Sequence, residues 1–223
     1  MSHFYDNGRK GTNPSVTTII QEMTPEPPGI TNWKKKNPNW EKQLHRKATI
    51  GTVAHYRILK RYAPPGVLPL PDIKMCDFPD DLAEKAEIAE MMFNSLNLKM
   101  KPPYFPEYTV LSHKFKYAGT LDLYGTLLSD DRWSENGNFV IDLKTSNAVH
   151  DTYGMQLSAY RHALEEMHPE NKVDGAAIIN IHPFREKNPY LEGKITFFTL
   201  SQLDEAFDKF KCLANEYHNR NEV

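Results

Sequence analysis

The chain has 223 residues, 39% of them hydrophobic and 25% charged, and a net charge of −2. These values are ordinary for a soluble globular protein, allow a sizeable core, and exclude a surface uniformly coated with positive charge for non-specific nucleic-acid binding. No apolar run approaches the roughly 20 residues of a membrane span, and the start "MSHFYDNGRKGTNPS" has no apolar stretch of signal-peptide type. A cytoplasmic protein is therefore expected, nucleoid-associated or in a host cytoplasm if viral, not secreted and without a membrane partner. The only cysteines, Cys76 and Cys212, lie far apart, which excludes a four-cysteine zinc or iron–sulfur site within one chain.

In chain order, Ser15 is placed to cap a helix through "VTTIIQEM". The segment Trp33 to Lys47, "WKKKNPNWEKQLHRK", then concentrates Lys34, Lys35, Lys36, Lys42, Arg46 and Lys47 around Trp33 and Trp40, against a single glutamate. It suits a DNA backbone with a ring stacked on a base, and equally a solvated helix start with its tryptophans packed inward. A second helix is expected over about Asn39 to Tyr62, with Ala48, Thr52, His55, Leu59 and Tyr62 on one stripe. A third is expected over Pro79 to Leu98, and the proline-rich pieces "MTPEPPGI", "APPGVLPLPDI" and "MKPPYFPEY" read as loops.

From Glu107 the apolar period changes from 3.6 to 2. "EYTVLSHKF", "AGTLDLYGTLL" and "NFVIDLKTS" read as three successive strands, the last two placed to form a hairpin. A helix over Thr152 to Met167, strands at "GAAIINIHP" and "KITFFTL", and a helix over Ser201 to Tyr217 complete the chain. This order predicts one α/β domain over 1–223 around a mixed sheet, helical over about 1–100 and α/β over about 105–223.

Within "FVIDLKTS", Val140, Asp142 and Lys144 share one face of the strand, with Phe139, Ile141 and Leu143 on the other. In the preceding strand Asp122 shares a face with Thr120 and Tyr124, while Leu121 and Leu123 fill the other side. In a hairpin Asp122 and Asp142 lie side by side, where two carboxylates repel and a divalent cation relieves both the repulsion and the cost of burial. The plainer alternative is an ion pair between Lys144 and one aspartate. His55 is either a satisfied core histidine or a metal ligand. Gln156, in an apolar stripe with Tyr153 and Tyr160, either orients Lys144 with help from Tyr160 or caps neighbouring backbone.

Taken together, "GTVAH", "GTLD", "IDLKTS" and "QLSAY" resemble, in order and spacing, the motifs of the PD-(D/E)XK nuclease superfamily. The likeness is to its RecB-type exonuclease branch, and "PSVTTII" followed by a tryptophan resembles that branch's first segment. The resemblance runs from about Pro14 to Ala163. It implies an αβββαβ core with extra N-terminal helices over the active site. It also implies metal ligation by His55, Asp122, Asp142 and the main-chain carbonyl of Leu143, with Glu107 where some members carry an extra acid. Lys144 matches the catalytic lysine, and Gln156 and Tyr160 the Q-x-x-x-Y beyond it. The implied activity is Mg²⁺- or Mn²⁺-dependent hydrolysis of DNA phosphodiesters in replication, repair or recombination. An exonuclease on single-stranded or end-exposed DNA is expected; the alternatives are a non-catalytic nucleic-acid-binding module and a restriction-type endonuclease. Leu121 replaces the proline that names the superfamily, as is common in this branch. The iron–sulfur cysteines of many relatives are missing, so no cluster is expected. "GRKGT" lacks the phosphate-loop spacing and its Lys-Ser/Thr pair, so ATP is not expected either.

Overall fold

The computed structural model describes residues 4–6, 12–68, 80–146, 149–184 and 188–221. A short two-stranded sheet, β1 (Phe4–Asp6) with β2 (Thr12–Pro14), precedes α1 (Val16–Met23), α2 (Pro28–Lys36), α3 (Trp40–Leu59) and α4 (Asp80–Ser95). Next come β3 (Met100–Ser112), β4 (Tyr117–Leu127), β5 (Gly137–Lys144), α5 (Asp151–Met167), β6 (Gly175–Asn180), β7 (Lys194–Phe198) and α6 (Leu200–Asn221). Cys76 and the expected helix start at Pro79 lie outside the described residues.

The five longer strands form one mixed sheet in the order β3-β4-β5-β6-β7, antiparallel except for β5 beside β6. The parallel pair requires a crossover, and α5 supplies it. Helices cover both faces. Val16, Ile19, Leu157, Tyr160, Leu164, Phe207 and Phe210 of α1, α5 and α6 form one core with Val110, Tyr117 and Val140. Ala54, Ile58, Ala89 and Phe93 of α3 and α4 form the other with Leu123, Ile141 and Ile179. Apolar covering on both sides explains why Ala176 to Ile179 show no alternation and are all buried. Arg57 Nε to Glu90 Oε2 at 2.7 Å and Arg61 to Glu90 Oε1 at 3.1 Å tie α3 to α4.

Ser15 caps α1 as expected, its Oγ accepting from the Thr18 N–H at 2.9 Å. Three expectations are corrected. Pro28, Gly29 and Ile30, read as loop, open α2, because proline at the first helical position gives up an N–H that has no partner there anyway. "MKPPYFPEY", also read as loop, belongs to β3, where an edge strand tolerates residues without an N–H. On α3 Leu59 is buried as expected, alongside Ile50, Ala54 and Ile58; Ala48 and Thr52 are exposed, and His55 stands at the edge of the buried face.

His162 of α5 stacks on Phe207 of α6, ring centres 3.5 Å apart and planes at 17°. Burial, helped by the charge of Arg161, pushes its pKa down to about 4. The unfolded imidazole takes its proton below about 6.5 and the folded one only near 4, so stability falls as pH drops through that window. His162→Phe, which keeps the stack and removes the titration, is expected to flatten this part of a melting-temperature profile between pH 7 and 4.

Candidate metal centre

The ladder between β4 and β5 runs from Leu127↔Gly137 to Leu123↔Ile141 and stops, whereas β5 stays paired with β6 as far as Lys144↔Asn180. One side chain accounts for the break. Asp122 Oδ2 accepts the N–H of Leu143 at 2.6 Å, in place of a main-chain partner. The strands part there, at the carboxyl end of β5, where ligands of open α/β sheets commonly bind.

Alternation also fails at this point. Leu121 packs in the same core as Tyr117 and Tyr124, whereas Leu123 packs in the other, so the expected pairing of Leu121 with Leu123 on one face is corrected. Across the sheet, Phe105 stacks on Tyr124, and Phe105 and Tyr108 both lie against His168 and pack on the same core, a matching break in β3. Between them Glu107 has φ +47°, a left-handed conformation that costs energy for a side chain of its kind. The bend turns Glu107 and Asp122 towards the parting of the strands.

α3 brings His55 to the same place, its Nδ1 3.5 Å from Asp122 Oδ1. Ligand atoms of His55, Glu107 and Asp122 lie within 4.8 Å of one another, an arrangement able to hold a metal ion. Burial works against the charge of His55, but Asp122, with Asp142 and Glu107 behind it, outweighs burial and raises its pKa to about 9. Asp122 is held below its usual value despite burial, because His55 and Lys144 favour its carboxylate. Crowding of its carboxyl and repulsion from Asp122 push Glu107 up to about 7. The residue as a whole is exposed, so water access moderates that rise.

Asp142 stands beside this cluster. It is 2% exposed. Its Oδ1 accepts from Gln156 Nε2 at 3.2 Å, and its Oδ2 is 2.7 Å from Lys144 Nζ. That oxygen is buried, and the ammonium is its ion-pair partner. Burial and the charge of Asp122 raise the pKa of Asp142, against the pull of Lys144. Burial opposes the charge of Lys144 as well, yet Asp142 and Asp122 outweigh it and keep the lysine an ammonium.

The donor set fits a small divalent cation: one imidazole and carboxylates whose repulsion a cation relieves. Leu143, whose main-chain carbonyl was a further candidate ligand, is the residue whose N–H anchors Asp122.

α5 supports this arrangement from the other side. Gln156 Oε1 accepts from Lys144 Nζ at 3.1 Å, while its Nε2 donates to Asp142 and, at 3.0 Å, to the Tyr160 hydroxyl. The amide holds the lysine and the aspartate at once, which explains a buried glutamine on an otherwise apolar face. Two contributors were given no role from the sequence. The Tyr153 ring lies 4.8 Å from Lys144 Nζ, and its hydroxyl is 3.0 Å from Ser146 Oγ; its place one turn before Gln156 was the available signal. Gly119, two residues before Leu121, leaves room for Tyr160: a Cβ there would lie 2.4 Å from the tyrosine ring. Gly119→Ala is expected to cost about 1–3 kcal/mol by overpacking and to move Tyr160 off Gln156. Thermal denaturation and the pH profile of any activity read the two effects separately.

The basic segment divides between α2 and α3. Lys34 pairs with Glu26 and stands 4.5 Å from the Trp40 ring, and Arg46 pairs with Asp81. Lys35, Lys36, Lys42 and Lys47 are exposed. Trp33 and Lys47 line a cleft that reaches Thr145, next to Lys144.

No family model matches the chain, and no curated protein matches it.

Proposed function

We propose that the protein is a divalent-metal-dependent deoxyribonuclease with a PD-(D/E)XK-type core, acting on single-stranded or end-exposed DNA. The reading rests on one observation above all: three carboxylates, a histidine and a lysine converge where β4 and β5 part. Two of these carboxylates, Asp122 and Asp142, are buried, and bringing such a collection together is expensive without a cation and a polyanionic substrate to use it. The succession β3-β4-β5-α5-β6, with α3 supplying His55, supports the core that the sequence motifs imply.

His55, Glu107, Asp122 and Asp142 would hold Mg²⁺ or Mn²⁺, which supplies charge neutralisation at the phosphoryl group and a more acidic water. Lys144, kept an ammonium by its carboxylate neighbours, is suited to steady a phosphoryl oxygen or orient a water rather than remove its proton. Gln156 fixes the lysine's position, and Tyr160 fixes Gln156. Lys35, Lys36, Lys42 and Lys47 offer charge for the DNA backbone.

The test is digestion of 5′- and 3′-labelled single- and double-stranded oligonucleotides, and of closed circular DNA, with Mg²⁺, Mn²⁺ or EDTA. End-dependent, EDTA-sensitive degradation that spares the circle is expected. Cutting of the circle at fixed positions points instead to a restriction-type endonuclease, and metal-dependent DNA binding without cleavage to a binding module.

A further inference from the structure

α2 is an odd element. None of its residues is buried, and its apolar side chains Ile30 and Trp33 turn into a cleft of about 590 Å³ rather than into either core. Leu44 of α3 and Phe184, beyond β6, complete an apolar wall, and Ile30 and Leu44 are each 42% exposed. Stability does not explain this, because exposed apolar surface gathered in a concave place marks a binding site more often than a structural one.

Thr145, the residue after β5, lines the cleft together with His150, and its carbonyl is 2.8 Å from His182 Nδ1. Ser146 lines the cleft as well, its Oγ 3.0 Å from the hydroxyl of Tyr153, whose ring lies 4.8 Å from Lys144 Nζ, so a single side chain links the cleft to the lysine where a phosphate would be held. Lys47 stands at the rim, its Nζ 5.9 Å from the Trp33 ring. An indole and a phenyl ring, hydroxyl and imidazole groups to meet polar edges, and an ammonium at the mouth are together suited to a flat heteroaromatic ring attached to a phosphate.

We propose that this cleft receives one unpaired nucleobase of the DNA strand being cut, next to the scissile phosphate; the inference rests on the nuclease reading above. A base inside the cleft presents its pairing edge to protein and has no room for a complement. Duplex ends must therefore fray before they enter, whereas single strands enter without that cost. The cleft would thus set the preference for open strands.

The test uses the whole protein with Ca²⁺, to permit binding without turnover, and short single-stranded oligonucleotides carrying 2-aminopurine or an abasic site at successive positions from each end. One 2-aminopurine position is expected to be quenched on binding, and an abasic site there to weaken binding by about tenfold or more, the size of one lost base–aromatic stack. Trp33→Ala is expected to reduce the quench and to make intact and abasic strands bind alike, with Trp33→Phe restoring part of the difference. Equal affinity for intact and abasic strands at every position in the parent protein overturns the proposal, whether or not the variants fold. If the protein cleaves DNA yet shows that equality, the cleft fails and the nuclease stands. If the quench appears without cleavage in Mg²⁺ or Mn²⁺, the nuclease reading fails and the base site stands.

Discussion

Alanine in place of Lys144 is expected to slow DNA cleavage by about 10²- to 10³-fold, the usual cost of removing one preorganised charge from a reacting centre. DNA affinity should hardly change, since Lys144 is largely enclosed while exposed lysines of α2 and α3 remain. The substitution also leaves Asp142 buried without its cation. Breaking such a pair typically costs about 3–5 kcal/mol, so rate and stability must be measured together. Here the raised pKa of Asp142 offers a partial escape, because it can take up a proton in place of its lost partner. The double variant Lys144→Met with Asp142→Asn shows whether lost folding explains lost cleavage: folding should recover, while cleavage, now without a proposed metal ligand as well, should not. Single-turnover digestion of an end-labelled strand, beside thermal denaturation of each variant, checks this. Undiminished cleavage by Lys144→Ala at equal purity would falsify the nuclease assignment.

The second large effect concerns the cation. At about 100 times its dissociation constant, a ligand that binds only the folded state adds about 2.7 kcal/mol, or roughly 5–10 °C in melting temperature for a domain of this size. Mn²⁺ is expected to give such a rise, and Asp122→Ala to abolish it. Asp122→Ala should also weaken the protein without metal, since the Leu143 N–H loses its acceptor. Glu107→Gln is the more diagnostic change. Its carboxyl, crowded and repelled by Asp122, has a raised pKa, so the folded state holds a proton that the unfolded state loses between about pH 4.5 and 7. Stability contributed by this group therefore declines as pH rises through that window. Removing the charge should make the metal-free protein slightly more stable at pH 8 while shrinking the Mn²⁺-induced rise. A group kept only for structure moves both readings in the same direction. Calorimetric titration with Mn²⁺ provides the independent measure, and an unchanged response in both variants sinks the proposed centre.

Much of this was legible in the chain. Ser15 announced α1, the change of period at Glu107 announced the second part of β3 and the sheet beyond it, and β4 to β7 lie where alternating or continuous apolar runs fall. Asp142 with Lys144, and Gln156 with Tyr160, were recognisable as polar residues at apolar positions, and in the fold these four contact one another. Local pattern suffices for such features, because helix and strand periods decide which side chains share a face.

Three features were decided only by tertiary structure. Pro28 to Ile30 read as loop because proline and glycine break a helix interior, and their own residue types do not show that they open one. Glu107 joins His55 and Asp122 because β3 and β4 both break alternation at one level, which a strict period of two cannot express. The division between a metal cluster and the Asp142–Lys144–Gln156 group depends on where the β4–β5 ladder ends. That end is set by one hydrogen bond, between Asp122 and the N–H of Leu143, made by residues 21 positions apart. Sequence by itself therefore singled out polar side chains at apolar positions and most of the elements that carry them, while the faces of β4 and α3 emerged only in the fold. The fold decided how those side chains are grouped, because grouping is a matter of distance across strands and helices that local periodicity does not encode.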